Sequence, residues 1–192
     1  MTGITLLPAA ERQAQPWKNG GGVTREIAVF PAGADLEAFD WRISTASVAA
    51  PGRFSHFDGV DRVLAVIEGR LHLRFEDGND AEELTADSPP LAFAGDVGVF
   101  GTPVGGGVAD LNVMVRRGVW MATIERITPG SGSVVLPDCA IVLMMDGGCV
   151  RRRSELMSLE PCDAVRIDGA RGEAVSLESG GATYVVRLAA TG

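Results

Sequence analysis

A glycine-rich segment near the start of the chain carries the most distinctive chemistry of the sequence. It reads PWKNGGGVTREI over residues 16–27 and holds the one lysine of a chain with 16 arginines. Its three glycines allow positive φ angles and a close approach to another surface, and a lysine ammonium is a compact partner for an anion. We predict ligand contacts from Trp17, Lys18 and Asn19. The alternative is a structural turn, which glycine runs also form.

Polar residues on two predicted strands form a second candidate. Arg42 and Ser44 share one face of strand 41–48, and Arg62 lies at the start of strand 60–67. Because guanidinium groups bind carboxylates through paired hydrogen bonds, we predict that these three residues contact an anion. The alternative is that the arginines form ion pairs within the protein. Their partners would then be Glu26, Asp61 or Asp110.

A third candidate lies on segment 108–117, where polar and apolar residues alternate. Asp110, Asn112, Met114 and Arg116 fall on one face of a strand, opposite an apolar face. Polar groups that converge on one space are typical of a small-molecule pocket. We therefore predict that Asn112 and Arg116 contact the ligand. The alternative is an edge strand whose polar face meets water.

Histidine and cysteine are scarce in this sequence. The two histidines are His56 and His72, and the three cysteines lack CxxC spacing. Such a set does not supply the ligands of a zinc site or a disulfide framework. We therefore predict no metal and no cofactor. Ser55 and His56 lie in a glycine-bounded loop and are predicted ligand contacts, although an isolated loop histidine is often merely exposed.

Composition excludes several classes of protein. The 192 residues carry a net charge of −8, and 46% of them are apolar. An acidic chain without a long basic run is a poor nucleic-acid binder. The longest apolar runs are too short to cross a membrane, and the first residues lack the pattern of a signal peptide. We expect a cytoplasmic protein without nucleic-acid or membrane partners.

The elements that position these residues are predicted to be strands. Alternation with a period of two covers most of the chain, and 25 glycines and 10 prolines provide frequent turns. Only segment 35–39 and the region near Arg12 suit a short helical turn. Many short strands at close spacing indicate an all-β sandwich or barrel.

A weak internal repeat refines this prediction. Residues 66–69 resemble residues 144–147 at an offset of 78, whereas Glu83-Leu84 resembles Glu155-Leu156 at an offset of 72. The difference falls in the hairpin at 76–81, where an insertion is easily accommodated. The module (a strand ending in an acidic residue and glycine, a hairpin, then a proline turn) resembles the core of a cupin barrel. We predict two cupin-like barrels, over residues 1–127 and 128–192.

The combined motifs resemble the HutD/Ves family. The resemblance rests on PWKNGGGVTREI, WRISTASVAAPGRFSHFDGVDRVLAVIEG, PLAFAGD and LNVMVRRG, which extend over residues 16–118. It implies a bacterial bicupin, in which two jelly-roll barrels form one chain, that assembles as a homodimer. It also implies a regulatory role in histidine utilisation, with an intermediate such as N-formylglutamate or urocanate as ligand.

Two specific functions remain open, beside a β-rich interaction module whose polar strand faces pair with each other. The first is a metal-free bicupin that binds a small anionic metabolite and modulates histidine utilisation. The second is a metal-independent isomerase or lyase that acts on a small carboxylate. In that enzyme Lys18 or His56 would be the base, and Asn112 and Arg62 would stabilise an oxyanion.

Overall fold

The computed structural model describes residues 3–78 and 81–192, and in these residues the fold is all-β. The only helical element described there is a short 3-10 helix, Ala9–Glu11, close to the predicted turn near Arg12. Segment 35–39 forms a hydrogen-bonded turn instead of a helix. There the Asp35 carboxylate accepts 3.0 Å hydrogen bonds from the backbone N–H groups of Glu37 and Ala38, as aspartate commonly does in turns.

The predicted strands are present, and shorter strands join them. In chain order the first eleven are β1 Gly3–Leu7, β2 Ala14–Pro16, β3 Gly22–Phe30, β4 Trp41–Val48, β5 Gly52–Arg53, β6 Val60–Glu68, β7 Arg70–Phe75, β8 Glu82–Thr85, β9 Leu91–Ala94, β10 Val99–Pro103 and β11 Val108–Arg116. The rest are β12 Trp120–Ile127, β13 Gly130–Val135, β14 Cys139–Met144, β15 Gly148–Arg152, β16 Glu155–Leu159, β17 Ala164–Asp168, β18 Ala174–Ser179 and β19 Thr183–Ala190.

The chain divides into two compact units. The first unit is Gln13–Trp120, and the second unit combines residues 3–12 with Met121–Gly192. This division differs from the expected ranges 1–127 and 128–192, because β1 pairs with β17 and so adds the start of the chain to the second unit. The chain enters the second unit within β12, seven residues before the expected boundary.

Each unit contains one large and one small antiparallel sheet. In the first unit the strand orders are β2-β3-β4-β11-β6-β9 and β5-β10-β7-β8. In the second unit they are β12-β19-β14-β17-β1 and β13-β18-β15-β16. Strands β4–β11 of the first unit correspond in order to strands β12–β19 of the second: β4-β11-β6-β9 matches β12-β19-β14-β17, and β5-β10-β7-β8 matches β13-β18-β15-β16. The eight-strand module therefore occurs twice, which explains the sequence repeat.

The repeat is interrupted where the sequence predicted an insertion. The connection between β7 and β8 covers residues 76–81, whereas the connection between β15 and β16 covers only residues 153–154. Asn79 and Asp80 lie outside the described residues. None of the four sheets closes on itself in the described strand orders, so the predicted fold is confirmed as all-β with two repeated units, without closed barrels.

The core of each unit lies between its two sheets. In the first unit it joins residues from both sheets, such as Leu64 on β6 and Leu71 on β7. Alternation explains this, since Leu71 and Leu73 point inward from a strand whose intervening residues are more exposed. The same inner face of the large sheet carries polar residues, including Arg62 and Asn112.

Candidate functional site

Three cross-strand rows place the polar residues on the inner face of the first unit. On the central strand β11, Met114 lies between Arg42 on β4 and Arg62 on β6. In the next row Asn112 lies between Ser44 and Leu64, and in the third Asp110 lies between Ala46 and Val66. The predicted alternation along β11 is thus confirmed, but the strand is central rather than at an edge. Alternation alone assigns these residues to one face of each strand, namely Arg42, Ser44 and Ala46 on β4, Arg62, Leu64 and Val66 on β6, and Asp110, Asn112 and Met114 on β11.

Arg62 is the centre of this cluster. The residue is 5% exposed, and its Nε and one terminal nitrogen donate hydrogen bonds of 3.2 and 3.1 Å to Asn112 Oδ1. The other terminal nitrogen donates a long bond of 3.4 Å to the backbone oxygen of Ser55. The guanidinium also lies over the rings of Phe54 and Phe93, at 4.9 and 5.3 Å from their centroids. Its hydrogen-bond partners are therefore neutral groups, and Asp110 interacts with it through charge alone.

Hydrogen-bonding capacity remains unused around Arg62. A guanidinium has five N–H groups, and three of them are engaged, which leaves one on each terminal nitrogen. The amide nitrogen of Asn112 and the hydroxyl of Ser44 donate to no described residue. Donors thus converge on one side of the large sheet, and such an arrangement suits an anion.

Arg42 differs from Arg62 because it already has an anionic partner. Its Nε donates a 2.7 Å hydrogen bond to Glu26 Oε2 on β3, and its side chain is 8% exposed. The alternative that sequence reasoning left open, an internal ion pair, thus describes Arg42. Asp61 pairs instead with Arg117, whose guanidinium also binds Asp96. The pKa of Asp96 falls to about 2, chiefly because Arg117 hydrogen-bonds its carboxylate.

Asp110 is a buried carboxyl that sequence reasoning did not include among the ligand contacts. It is 1% exposed, and its Oδ1 accepts no hydrogen bond from the described residues. Burial raises its pKa to about 7, an effect that the charge of Arg62 opposes. Burial likewise lowers the pKa of Arg62, but a guanidinium remains protonated at neutral pH. In the sequence, the signal available for Asp110 was its position two residues before Asn112, on the same face of the alternating segment.

The glycine-rich segment forms a tight turn before β3. The backbone oxygen of Trp17 accepts a hydrogen bond from Gly20, and its backbone N–H donates one to the oxygen of Gly22. The indole Nε1 of Trp17 donates a 2.8 Å hydrogen bond to Thr24 Oγ1. Its ring packs against the first unit's core. Lys18 and Asn19 are exposed, and the Asn19 side chain accepts a hydrogen bond from the backbone of Gly21. Of the three predicted contacts, Trp17 alone packs inward.

The other predicted contacts lie around the edge of the cluster. Ser55 and His56 are exposed; Ser55 reaches the cluster only through its backbone oxygen, and His56 Nε2 lies 2.9 Å from Asp58. Arg116 donates hydrogen bonds to the backbone oxygens of Glu37 and Phe39. The structure therefore brings together Arg42, Ser44, Arg62 and Asn112, with Trp17 on the same core, and it places the other five predicted residues outside the cluster. Those five are Lys18, Asn19, Ser55, His56 and Arg116.

A separate groove of about 400 Å³ lies among β7, β8 and β9. Phe93 is the one residue that it shares with the contacts of Arg62. Its charged lining is acidic, from Asp77 and Glu82, so it does not suit an anion. The inner-face cluster fits the predicted anionic ligand better, because it supplies the cationic and neutral donors.

The repeated module provides an internal comparison for the cluster. Arg62 pairs with Met114 on β11, and Ala140 pairs with Arg187 at the equivalent place between β14 and β19. By the same register, Val185 replaces Asn112 and Thr183 replaces Asp110. Ala140 and Val185 belong to the apolar core of the second unit. Arg62 and Asn112 therefore have apolar counterparts in the second unit, where Arg187 holds the place of Met114.

The described residues give two further facts about the chain. No three or more His, Cys, Asp and Glu side chains among residues 3–78 and 81–192 are grouped so that they could hold a metal ion. Within the same ranges, no helix has the length and apolar character needed to cross a lipid bilayer.

Comparison with known proteins assigns the family. The HutD family model matches residues 9–185, almost the whole chain. The chain belongs to the HutD family. This HutD chain is 30% identical, over 98% of its own length and 98% of the relative's, to an uncharacterized 21.2 kDa protein in the hutC 3′ region of Pseudomonas putida. It is 42% identical to the protein Ves of Citrobacter koseri over 53% of this chain and 52% of that protein.

Solved structures agree with the family assignment. The HutD structure from Pseudomonas fluorescens SBW25, in a formate condition, is 30% identical and aligns with a TM-score of 0.83 over 99% of this chain and 100% of that one. A cupin 2 conserved barrel domain protein from Leptotrichia buccalis aligns at 11% identity with a TM-score of 0.56, over 93% and 92% of the two chains. The latter similarity shows a cupin-like fold and nothing more.

Proposed function

We propose that this HutD chain binds a small anionic metabolite between the sheets of the first of two cupin-like units, with Arg62 as the anchor for a carboxylate. The buried guanidinium carries the proposal, because its hydrogen-bond partners are neutral and one N–H on each terminal nitrogen donates to no described residue. Asn112 holds the guanidinium in place, and the Asn112 amide and Ser44 hydroxyl supply further donors. Arg42 adds positive potential, which Glu26 partly compensates.

The internal repeat supports a functional rather than structural role for this cluster. The same strand module folds in the second unit with Ala140 and Val185 at the places of Arg62 and Asn112. The fold therefore does not require polar groups there. Burying a charged group is unfavourable unless a partner compensates it, so its presence in the first unit alone favours binding.

The metabolic context comes from the relatives. One relative is described as a protein in the hutC 3′ region, which supports the proposal that the present chain modulates histidine utilisation. Binding of a pathway intermediate would make the liganded fraction of the protein depend on the concentration of that intermediate. Urocanate and N-formylglutamate are the proposed ligands, since both present a carboxylate to Arg62.

A binding assay with a defined panel tests this function. Histidine, urocanate, N-formylglutamate, formiminoglutamate and glutamate are titrated into the protein by calorimetry and by thermal shift. A ligand that binds the folded state stabilises it by RT ln(1 + [L]/Kd). We expect at least one carboxylate of the panel to bind, and Arg62→Gln to weaken its binding by about tenfold or more.

Arg117→Gln is the matched control, since it makes the same chemical change at a partly exposed arginine that pairs with Asp61 and Asp96. Its affinity for the ligand should equal that of the wild type. No binding by any member of the panel, or equal loss of binding in both variants, would overturn the proposal.

The enzymatic alternative receives less support from the geometry. Lys18 and His56, the two candidate bases, are both exposed, and His56 lies against Asp58. The same panel, incubated with the protein and followed by NMR, separates the two functions. Turnover that is lost in Lys18→Ala or His56→Ala would favour the enzyme.

A further inference from the structure

Asp110 is a charged group of the inner face to which the proposed carboxylate site gives no role. It lies on the central strand β11, two residues from Asn112 and on the same side of the sheet. Its cross-strand neighbours, Ala46 and Val66, offer no side-chain hydrogen-bond donor. With 1% exposure and an unpartnered Oδ1, it is a buried acceptor without a donor. A buried polar group without a hydrogen-bond partner is unfavourable for the folded state.

The charged groups around Asp110 explain why the protein itself does not satisfy it. Arg62 on β6 interacts with Asp110 through its charge. Arg42 on β4 interacts with Arg62 and pairs with Glu26 on β3, whereas the core residues of the facing small sheet are apolar. Arg42 is committed to Glu26, and Arg62 directs three N–H groups to Asn112 and Ser55. Asp110 therefore interacts with Arg62 through its charge but receives no hydrogen bond from it.

The second unit shows that the fold does not need an acid at this place. Thr183 holds the position equivalent to Asp110, opposite Met144 as Asp110 is opposite Val66. Thr183 is also buried, and its Oγ1 also lacks a partner, but it carries no charge. The acid is thus an addition of the first unit, where it accompanies Arg62 and Asn112.

We propose that Asp110 is a recognition group of the inner-face site and accepts a hydrogen bond from an N–H group on the same ligand whose carboxylate binds Arg62. The ligand class is then a small carboxylic acid that also bears an N–H donor, which excludes simple carboxylates and keto acids as preferred ligands. This inference rests on the proposed function, because it requires Arg62 to hold the carboxylate.

Two isosteric probes test the inference at equal charge. N-acetylglycine and levulinate have the same length and the same terminal carboxylate, and they differ where N–H in the first is CH₂ in the second. Calorimetry at pH 8 should give the wild type an affinity for N-acetylglycine about tenfold or more above that for levulinate, as expected for a hydrogen bond to a charged group. In Asp110→Ala the two affinities should become equal.

Asp110→Val is a second variant, because a β-branched apolar residue suits a strand and fills more of the space than alanine. Circular dichroism and thermal unfolding establish that each variant is folded. Arg62→Gln should weaken both probes to a similar extent and preserve their ratio.

The outcomes separate this inference from the proposed function. Equal binding of the two probes by the wild type, or a preference that persists in both Asp110 variants, would overturn the inference while Arg62-dependent binding survives. The same conclusion would follow if a metabolite of the panel binds and N-acetylglycine does not. If neither probe nor any metabolite binds, the proposed function and this inference both fail.

Discussion

Arg42 and Glu26 form an ion pair of 2.7 Å on the inner face of the first unit, whereas Arg62 has no hydrogen-bonded carboxylate among its described contacts. The two arginines lie on either side of Met114 in the same cross-strand row. Their burial is nearly equal, at 7% and 5% exposure. The two arginines therefore differ in their hydrogen-bond partners and not in their burial: Arg42 binds a carboxylate, whereas Arg62 binds an amide oxygen.

This difference predicts different effects on stability. Arg42→Gln leaves Glu26 without its counter-charge, and we expect a loss of about 1–3 kcal/mol in the free energy of unfolding. The loss is below the range for fully buried pairs, because the Glu26 side chain keeps 34% exposure to solvent. Arg62→Gln removes a buried charge and retains an amide that can reach Asn112, so its loss should be smaller. Urea unfolding of both variants measures the two values, and a larger loss for Arg62→Gln would contradict the assignment.

Asp110 predicts a specific pH dependence of stability. Its folded-state pKa of about 7 lies above the ordinary value near 4, so the folded state retains a proton that the unfolded chain releases as pH rises from about 4 to about 7. The contribution of Asp110 to stability therefore falls over this range and is constant above it.

Asp110→Asn removes this titration and isolates the effect. Relative to the wild type, the variant should gain about 2–4 kcal/mol between pH 4 and pH 8. Urea unfolding at several pH values measures the difference, in which the titration of all other groups cancels. A difference that does not change with pH would show that Asp110 titrates normally.

Much of the fold could be predicted from the alternation of residue types. Strands such as β4 and β11 alternate clearly, and the sequence predicts both. Shorter strands such as β5 and β10 contain glycine or proline and show no alternation of polar and apolar residues. They form because neighbouring strands pair with them, which the local sequence does not reveal. Closure into barrels was an expectation from the resemblance, and local sequence does not determine which sheet edges meet.

Prediction of the site was less complete for a physical reason. Alternation along β11 identified the face that carries Asn112, yet it could not distinguish the paired Arg42 from the unpaired Arg62, since Glu26 is far from both in sequence. The same pattern contained Asp110, but its significance depends on burial and on the apolar neighbours Ala46 and Val66. Lys18 is distinctive in composition, but it is exposed.

The glycine-rich turn predicts a steric effect at one position. A Cβ on Gly22 would lie 2.6 Å from the backbone oxygen of Ser47 and 2.9 Å from the Trp17 ring. Gly22→Ala should therefore cost about 1–3 kcal/mol and displace the indole from the core. Gly21→Ala is the control, since its nearest contact is 3.3 Å, to the Asn19 side chain. Thermal unfolding and tryptophan fluorescence measure both effects, and equal behaviour of the two variants would contradict the packing of Trp17.

The repeated module predicts that the polar cluster can be removed without loss of the fold. A triple variant, Arg62→Met with Asn112→Val and Asp110→Thr, gives the first unit an inner face close to that of the second, where Ala140, Val185 and Thr183 lie. Replacement of buried charged groups by apolar side chains is often neutral or stabilising by about 1–4 kcal/mol. We expect a folded protein of equal or higher stability that no longer binds carboxylates.

The reverse change, Ala140→Arg, introduces an uncompensated charge into the apolar core of the second unit. It should destabilise the protein by at least about 3 kcal/mol, because no acid or amide stands at the places of Asp110 and Asn112 there. Circular dichroism and urea unfolding compare the triple variant with Ala140→Arg. Two results together would contradict this prediction: a triple variant that fails to fold, and an Ala140→Arg protein as stable as the wild type. They would mean that the inner-face charges of the first unit stabilise the fold instead of binding a ligand.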